Sequence, residues 1–186
     1  MKVLGIAGST RRGSWNCKLL DSAAELLPAG TELETWDGLK EIPPYDEEDD
    51  VQPAPAAVEQ LRAAIAAADA ILFATPEYNS SIPGVLKNAV DWASRPLATN
   101  PLRNKPVAVV GASTSAFGAV WAQAELRKVL AATGARVVEG EVAVGHAPKR
   151  FDTDGRLSDA ELREQLAEVV DLLVQEAQPQ QVLTAA

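Results

Sequence analysis

The sequence predicts an α/β fold, a doubly wound sheet of five parallel strands with helices on both faces. Short apolar runs alternate with longer segments of helical period, the pattern of successive βαβ units. Three of the short runs are almost continuously apolar, as strands buried on both faces must be. No internal repeat and no linker rich in Gly, Ser or Pro divides the 186 residues, so they read as one unit. The expected domain runs over 1–176, with 177–186 as a frayed tail lacking periodicity.

The elements follow in order. Strand one is "VLGIAG" (Val3 to Gly8), and Leu19, Ala23, Leu26 and Leu27 form the stripe of the helix after it. Strand two is "ELETWD" (Glu32 to Asp37), followed by the acidic, proline-punctuated "EIPPYDEEDDVQPAP", which reads as a solvated crossover. Val58, Leu61, Ile65 and Ala68 mark a second helix, and "AILFATP" (Ala70 to Pro76) the third strand. A third helix starts at Ser81-Ile82-Pro83, with proline in its permitted first turn and Val85, Leu86, Ala89 and Val90 packed inward. Strands four and five are "PVAVVGAS" (Pro106 to Ser113) and "ARVVEGEVAV" (Ala135 to Val144). The last helix opens on Ser158-Asp159-Ala160-Glu161, read as a capping box, and buries Leu162, Leu166, Val169, Val170 and Leu173. The runs beginning at 3, 70 and 106 form the centre.

Composition removes several classes of function. With 17 basic against 26 acidic residues the formal charge is −9, which repels nucleic acid. No apolar run approaches the length needed to span a bilayer, and the start turns too quickly into "VLGIAG" for a signal peptide. The expectation is a cytoplasmic protein with no membrane partner. Cys17 and His146 are the only cysteine and histidine, so neither an internal disulfide nor a zinc site is expected.

The chemistry concentrates in "GIAGSTRRGSWN" (Gly5 to Asn16), between strand one and the first helix. Gly8 and Gly13 keep the spacing of a triphosphate-binding loop, but Ser14 and Trp15 replace its Lys and Ser/Thr. Strand three also lacks an aspartate for magnesium, which disfavours triphosphate hydrolysis. A G-x-G-x-x-G dinucleotide fingerprint fails too, because Gly8 is the only glycine between Ala7 and Arg11. What remains suits a terminal phosphate monoester: hydroxyls of Ser9, Thr10 and Ser14, the Asn16 amide and a guanidinium from the Arg11-Arg12 pair, gathered at the positive end of a helix. The same residues also read as ordinary turn and cap chemistry, with Ser14 capping the helix and Arg11 and Arg12 in solvent.

This loop, taken with "PEYNSSIPGVLKNAVDW" (Pro76 to Trp92) and "GAS" (Gly111 to Ser113), resembles the NADPH-dependent FMN reductase family. That flavodoxin-like group includes quinone, chromate and azo-dye reductases. The resemblance implies that Ser9, Arg11, Ser14, Trp15 and Asn16 hold the FMN phosphate, Trp15 mainly through its main-chain amide. Pro76, Glu77, Tyr78 and Asn79 would line the isoalloxazine and ribityl chain, and Ser113 with "STSAFG" would close the far side. Loops after strands one, three and four then surround the ligand at the reversal point of a sheet ordered 2-1-3-4-5.

The resemblance also implies NADPH or NADH as reductant and a quinone, a similar small electron acceptor or free flavin as oxidant, in a ping-pong exchange. No side chain is then needed as acid, base or nucleophile, because the flavin carries the hydride. A homodimer or homotetramer is implied, with Trp92 and Trp121 as interface anchors on the helices "PGVLKNAVDW" and "AVWAQAELRKVL". Lys87, Asn88 and Asp91 read as structural tethers or subunit contacts. Arg12, Arg95 and Arg103 are candidates for contact with a 2′-phosphate, while His146 and Cys17 are given no role. Two other readings stay open: a flavodoxin-type FMN electron carrier without its own NAD(P)H site, and a cofactor-free scaffold whose loop only caps a helix.

Overall fold

In the computed structural model, which describes residues 1–178, the strands are β1 (Lys2–Ala7), β2 (Glu32–Trp36), β3 (Ala70–Thr75), β4 (Pro106–Ala112), β5 (Arg136–Val137) and β6 (Ala143–Val144). The helices are α1 (Trp15–Ala24), α2 (Ala56–Ala67), α3 (Gly84–Ala93), α4 (Val120–Ala132) and α5 (Ala160–Ala177). Every ladder is parallel, in the order β2-β1-β3-β4-β5, and β6 also pairs with β4. This is the flavodoxin-like arrangement.

The expected fifth strand is divided into β5 and β6. Val107 pairs with Val137 and Gly111 with Ala143, so four steps along β4 are matched by six on its partner. The surplus residues bulge out through Gly140 at φ 134°, where a Cβ would meet Val169 Cγ2 of α5 at 2.8 Å. The edge strand therefore bends around α5 without changing the sheet order.

Alternation along the central strands builds two cores. Leu4, Ile6, Ile71, Phe73, Val107 and Val109 point to the face covered by α2, α3 and α4. Val3, Ala70, Leu72, Ala108 and Val110 point to the face covered by α1 and α5. Val58, Leu61 and Ile65 of α2 are buried as their spacing requires, and so are Leu166, Val169, Val170 and Leu173 of α5. Leu26 and Leu27 lie past the end of α1, and Ala177 closes α5 instead of opening the tail. The rest of the expected tail, from 179, lies outside the described residues.

Three local expectations are corrected. Val85 is 41% exposed, because α3 begins at Gly84 with Pro83 as its cap, and only Leu86, Ala89 and Val90 face the sheet. Trp92 is fully buried, donates its indole N–H to the Pro43 carbonyl at 2.9 Å and packs edge-on to Tyr45. It anchors the acidic crossover internally, together with Asn88, whose carboxamide donates to Pro43 O and accepts from Tyr45 N–H. Trp92 therefore presents nothing to a second subunit.

The last helix is capped by Asp159, one residue later than the capping-box reading. Its carboxylate accepts from Leu162 N–H at 3.1 Å and pairs with Arg150, while Ser158 donates to the Arg150 carbonyl. The Leu162 amide above all, aided by the Arg150 guanidinium, outweighs desolvation and holds the Asp159 carboxyl below its ordinary range. A carboxyl depressed on folding adds stability that is complete above its unfolded pKa of about 4 and is lost as pH falls through the lower folded value. Urea midpoints measured at decreasing pH should accordingly fall less steeply in Asp159→Asn, which keeps a capping acceptor but cannot titrate.

Candidate active site

The chain reverses its direction of winding between β1 and β3, so the segments leaving their carboxyl ends stand apart and open a cleft. The β1–α1 loop is brought close to α3 by Gly8, where a Cβ would meet Leu86 Cδ2 at 2.8 Å. One cavity of about 140 Å³ gathers Ser9, Arg11, Ser14, Trp15 and Asn16 from the first loop with Pro76, Glu77 and Tyr78 from the third strand's exit. Ala112, Ser113 and Thr114 at the end of β4 complete its wall. Nine of the ten residues singled out in the sequence therefore meet at one place; Asn79 lies outside that wall.

The first loop presents donors that the protein itself leaves unused. The main-chain N–H groups of Thr10, Ser14, Trp15 and Cys17 donate to no protein acceptor among the described residues. They are the orphan donors of a helix start, reinforced by the helix dipole. Ser14 is buried and caps α1, its Oγ accepting from Asn16 N–H at 3.1 Å. An accepting hydroxyl keeps its own proton to donate, so capping and anion contact are compatible at Ser14. Gly13 turns the loop at φ +66°, and Arg11 lies exposed, donating from Nη1 to the Arg12 carbonyl. The Trp15 indole packs 5.3 Å from Phe151 and beneath the Lys18 ammonium, which leaves its backbone amide as its polar contribution.

Asn16 borders the same cavity, with its polar groups already engaged. Its amide N–H is committed to Ser14, and its side chain forms a two-point clamp on β4. Nδ2 donates to Ala112 O at 3.0 Å, and Oδ1 accepts from Ala112 N–H at 2.9 Å. The β3–β4 pairing ends at Thr75 and Gly111. The carboxamide of Asn16 grips the next residue of β4 and so joins the start of α1 to the end of that strand.

Glu77 is likewise committed. Its Oε2 accepts from the N–H groups of Trp121 and Ala122 at 3.0 and 3.1 Å, capping α4 from a distant loop. The missing local cap was visible as Ala119 at the position before α4, in a left-handed conformation with no side-chain oxygen. Tyr78 and Ser81 exchange both main-chain hydrogen bonds around Asn79 and Ser80, each with positive φ, so this is a tight hairpin that leaves Tyr78 54% exposed. Ser113 accepts from Ser115 N–H at 3.1 Å.

Residues 113–118 interlock with the turn after β6. His146 N–H donates to Ser115 O at 2.8 Å, Ala147 N–H to Ser113 O at 3.0 Å, and Gly118 lies against the Ala143 backbone. The His146 side chain itself is exposed, and Cys17 is half-buried. Arg95 sits over the Tyr45 ring and Arg103 donates to Leu97 O; both belong to segments beyond α3 and before β4, toward the amino edge of the sheet and away from the cleft. Among the described residues no group of three or more His, Cys, Asp and Glu is arranged to hold a metal, and no helix is long and apolar enough to cross a membrane.

Fold and cleft together define a flavodoxin-like α/β protein with an open cleft at the switch point. Residues 1–149 match the family model described as NADPH-dependent FMN reductase. The chain is 45% identical over 174 residues to an NAD(P)H-dependent FMN reductase of Pseudomonas aeruginosa, covering 93% of each chain. It is 36% identical to a 2-hydroxy-1,4-benzoquinone reductase of a Burkholderia species, over 92% of this chain and 93% of that one. Among solved structures it is similar to FerB, a flavoenzyme NAD(P)H:(acceptor) oxidoreductase of Paracoccus denitrificans, with a TM-score of 0.81, 31% identity and coverage of 94% and 98%. The chain belongs to the NADPH-dependent FMN reductase family and is an oxidoreductase of that class.

Proposed function

We propose that the chain holds FMN in the cleft at the β1–α1 loop and transfers reducing equivalents from NAD(P)H to a quinone or similarly electron-poor small molecule. The observation that carries this reading is the convergence of the free α1 amides, the Ser14 hydroxyl and the Arg11 guanidinium on one cavity that also touches Pro76, Tyr78 and Ser113. A phosphate monoester satisfies all of the first group at once, without a metal. Bound FMN supplies the hydride-transfer chemistry.

The protein's own work is to bind, orient and shield. Ser9, Ser14, Trp15 N–H and Arg11 hold the phosphate, and Asn16 positions them by fixing α1 against β4. Pro76, Glu77, Tyr78 and Asn79 border the ribityl and ring portions, with Ser113 opposite. Glu77 is committed to the α4 amides, so it acts as a support and not as a proton donor. A cavity of about 140 Å³ would take the phosphate end of a mononucleotide, and the ring would then lie toward its mouth, open to reductant and acceptor in turn. The quinone class of acceptor is supported by the Burkholderia relative's named activity.

Assembly as a homodimer or homotetramer fits an apolar surface beside the cleft. Phe117 and Trp121 stack edge-on with centroids 5.1 Å apart and are 60% and 47% exposed; Tyr78 and Val85 are exposed as well. Trp121 remains the interface anchor in this reading. A cytoplasmic location is part of the same proposal.

The test is an absorption spectrum of the purified protein before and after anaerobic NADPH. A yellow protein that bleaches rapidly and recovers on adding a quinone is the expected result; bleaching only through a partner protein would leave an electron carrier instead. Arg11→Ala should weaken FMN about 10- to 100-fold, the loss of a charge-assisted phosphate contact, as read by fluorescence titration.

A further inference from the structure

Across the β1–α1 loop from the cleft lies a larger cavity of about 410 Å³, bounded by Arg11 and Arg12 and by Trp36, Asp37 and Lys40 of the chain leaving β2. Its charge runs against that of the molecule. The chain has 26 acidic residues to 17 basic ones, yet three cations border this cavity and Asp37 is the single carboxylate in its wall. Arg12 and Lys40 pair with no carboxylate among the described residues. A guanidinium and an ammonium facing one space without partners favour a ligand with two anionic groups, and the planar fork of arginine matches a carboxylate.

The rest of the wall suits a flat carbon body. Trp36 is half-buried, packs on the core and lies so close over Gly38 that a Cβ there would come within 2.5 Å of its ring. An indole held in this way is a fixed surface on which a second ring stacks. Leu39 and Ala7 add aliphatic wall beside it. Arg11, in turn, ties this cavity to the cleft. It is exposed, borders both spaces, and makes one hydrogen bond, from Nη1 to the Arg12 carbonyl. A guanidinium forked onto a phosphate on one side of the loop cannot fork onto a carboxylate on the other.

We infer that this cavity is an effector site for an aromatic dicarboxylate, with the ring against Trp36 and the carboxylates on Arg12 and Lys40, and that its occupant loosens FMN by drawing on Arg11. The coupling rests on the reading of the neighbouring cleft as the FMN site; the ligand class of the cavity does not. The effector undergoes no chemistry. It sets how firmly the flavin is held, and by linkage FMN weakens the effector by the same factor. Asp37 opposes the carboxylates and limits their affinity.

Calorimetric titration with isophthalate, glutarate and isophthalamide tests the site. Glutarate keeps both carboxylates at the same separation along the carbon chain but has no ring, and isophthalamide keeps the ring without the charge. Isophthalate should bind at least about tenfold tighter than either, and Arg12→Ala and Lys40→Ala should each weaken it about tenfold. Trp36→Ala should bring isophthalate down to the level of glutarate, Trp36→Phe should keep most of the preference, and Asp37→Asn should tighten isophthalate. FMN titrations by fluorescence, at ionic strength held constant with chloride, test the coupling. The FMN dissociation constant should rise about three- to tenfold with isophthalate and then level off. Lys40→Ala, which borders this cavity and not the cleft, should bind FMN as the wild type does without isophthalate and show almost no rise with it. Equal affinity for the three probes, no binding of isophthalate, or indifference to Arg12→Ala and Lys40→Ala overturns the site. An FMN constant that isophthalate leaves unchanged, or one that climbs without levelling as in direct competition for the cleft, overturns the coupling. A protein that takes up no FMN by visible absorbance but keeps the Arg12- and Lys40-dependent preference retains this cavity and loses the neighbouring reading.

Discussion

Asn16→Leu is expected to lower the unfolding free energy by about 2–5 kcal/mol and to strip FMN from the protein. The carboxamide makes both of its hydrogen bonds to Ala112, at 3.0 and 2.9 Å, inside a region where Asn16 is 2% exposed. Leucine is close in size but neither donates nor accepts, so a buried N–H and a buried C=O are left unpaired, at about 1–3 kcal/mol each, with only partial return from apolar burial. The same loss frees the first turn of α1 from β4, and with it Ser14 and the open amides. A reduced urea midpoint at unchanged slope, with colourless protein on purification, is the outcome to look for. A leucine variant with the wild-type midpoint would reduce the clamp to an incidental contact.

Gly118→Val is expected to cost about 3 kcal/mol or more and to detach the wall of the cleft formed by Ser113 and Thr114. Gly118 holds φ +61°, a region a β-branched residue enters only under strain. The new Cβ would also overlap the carbonyl of Ala143 and the amide of Val144, which are β6 backbone and cannot rotate away as a side chain would. Residues 113–118 must therefore leave β6, giving up the Gly118 carbonyl that accepts from the buried Gln123 carboxamide. Gly30→Val is the matched control: its φ is +83°, but nothing lies within 4 Å of a Cβ there. It should carry the backbone strain alone, about 1–2 kcal/mol. Thermal melting separates the two variants, and FMN titration should separate them further, since Gly30 is remote from the cleft.

The central strands and their helices were legible because their signals are local and repetitive. Continuous apolar runs over Val3–Gly8, Ala70–Pro76 and Pro106–Ser113 admit only strands buried on both faces, and the stripes of α2 and α5 admit only one buried side. The misreadings occurred where a distant element takes part. Whether residues 135–144 form one strand or two depends on Gly140 meeting Val169 of α5. Ser158 and Asp159 are equally good caps in sequence, and the choice was made by Arg150 and its carbonyl. Trp92 looks like an interface anchor until Pro43 and Tyr45 fold over it.

By itself the chain's order of residues determined the layers, the central strands, the loop at the first helix start and the set of residues that meet in the cleft. Those features follow from periodicity and turn chemistry, which act between neighbours a few positions apart. Only the tertiary structure decided that Asn16 clamps the end of β4, that Glu77 caps a helix more than forty positions away at 3.0 Å, and that Arg12 and Lys40 face one cavity while Arg95 and Arg103 face elsewhere. Hydrogen-bond partners and charge neighbours of this kind are assigned by closure of the sheet and the packing of its helices, and no local pattern encodes which distant group will arrive.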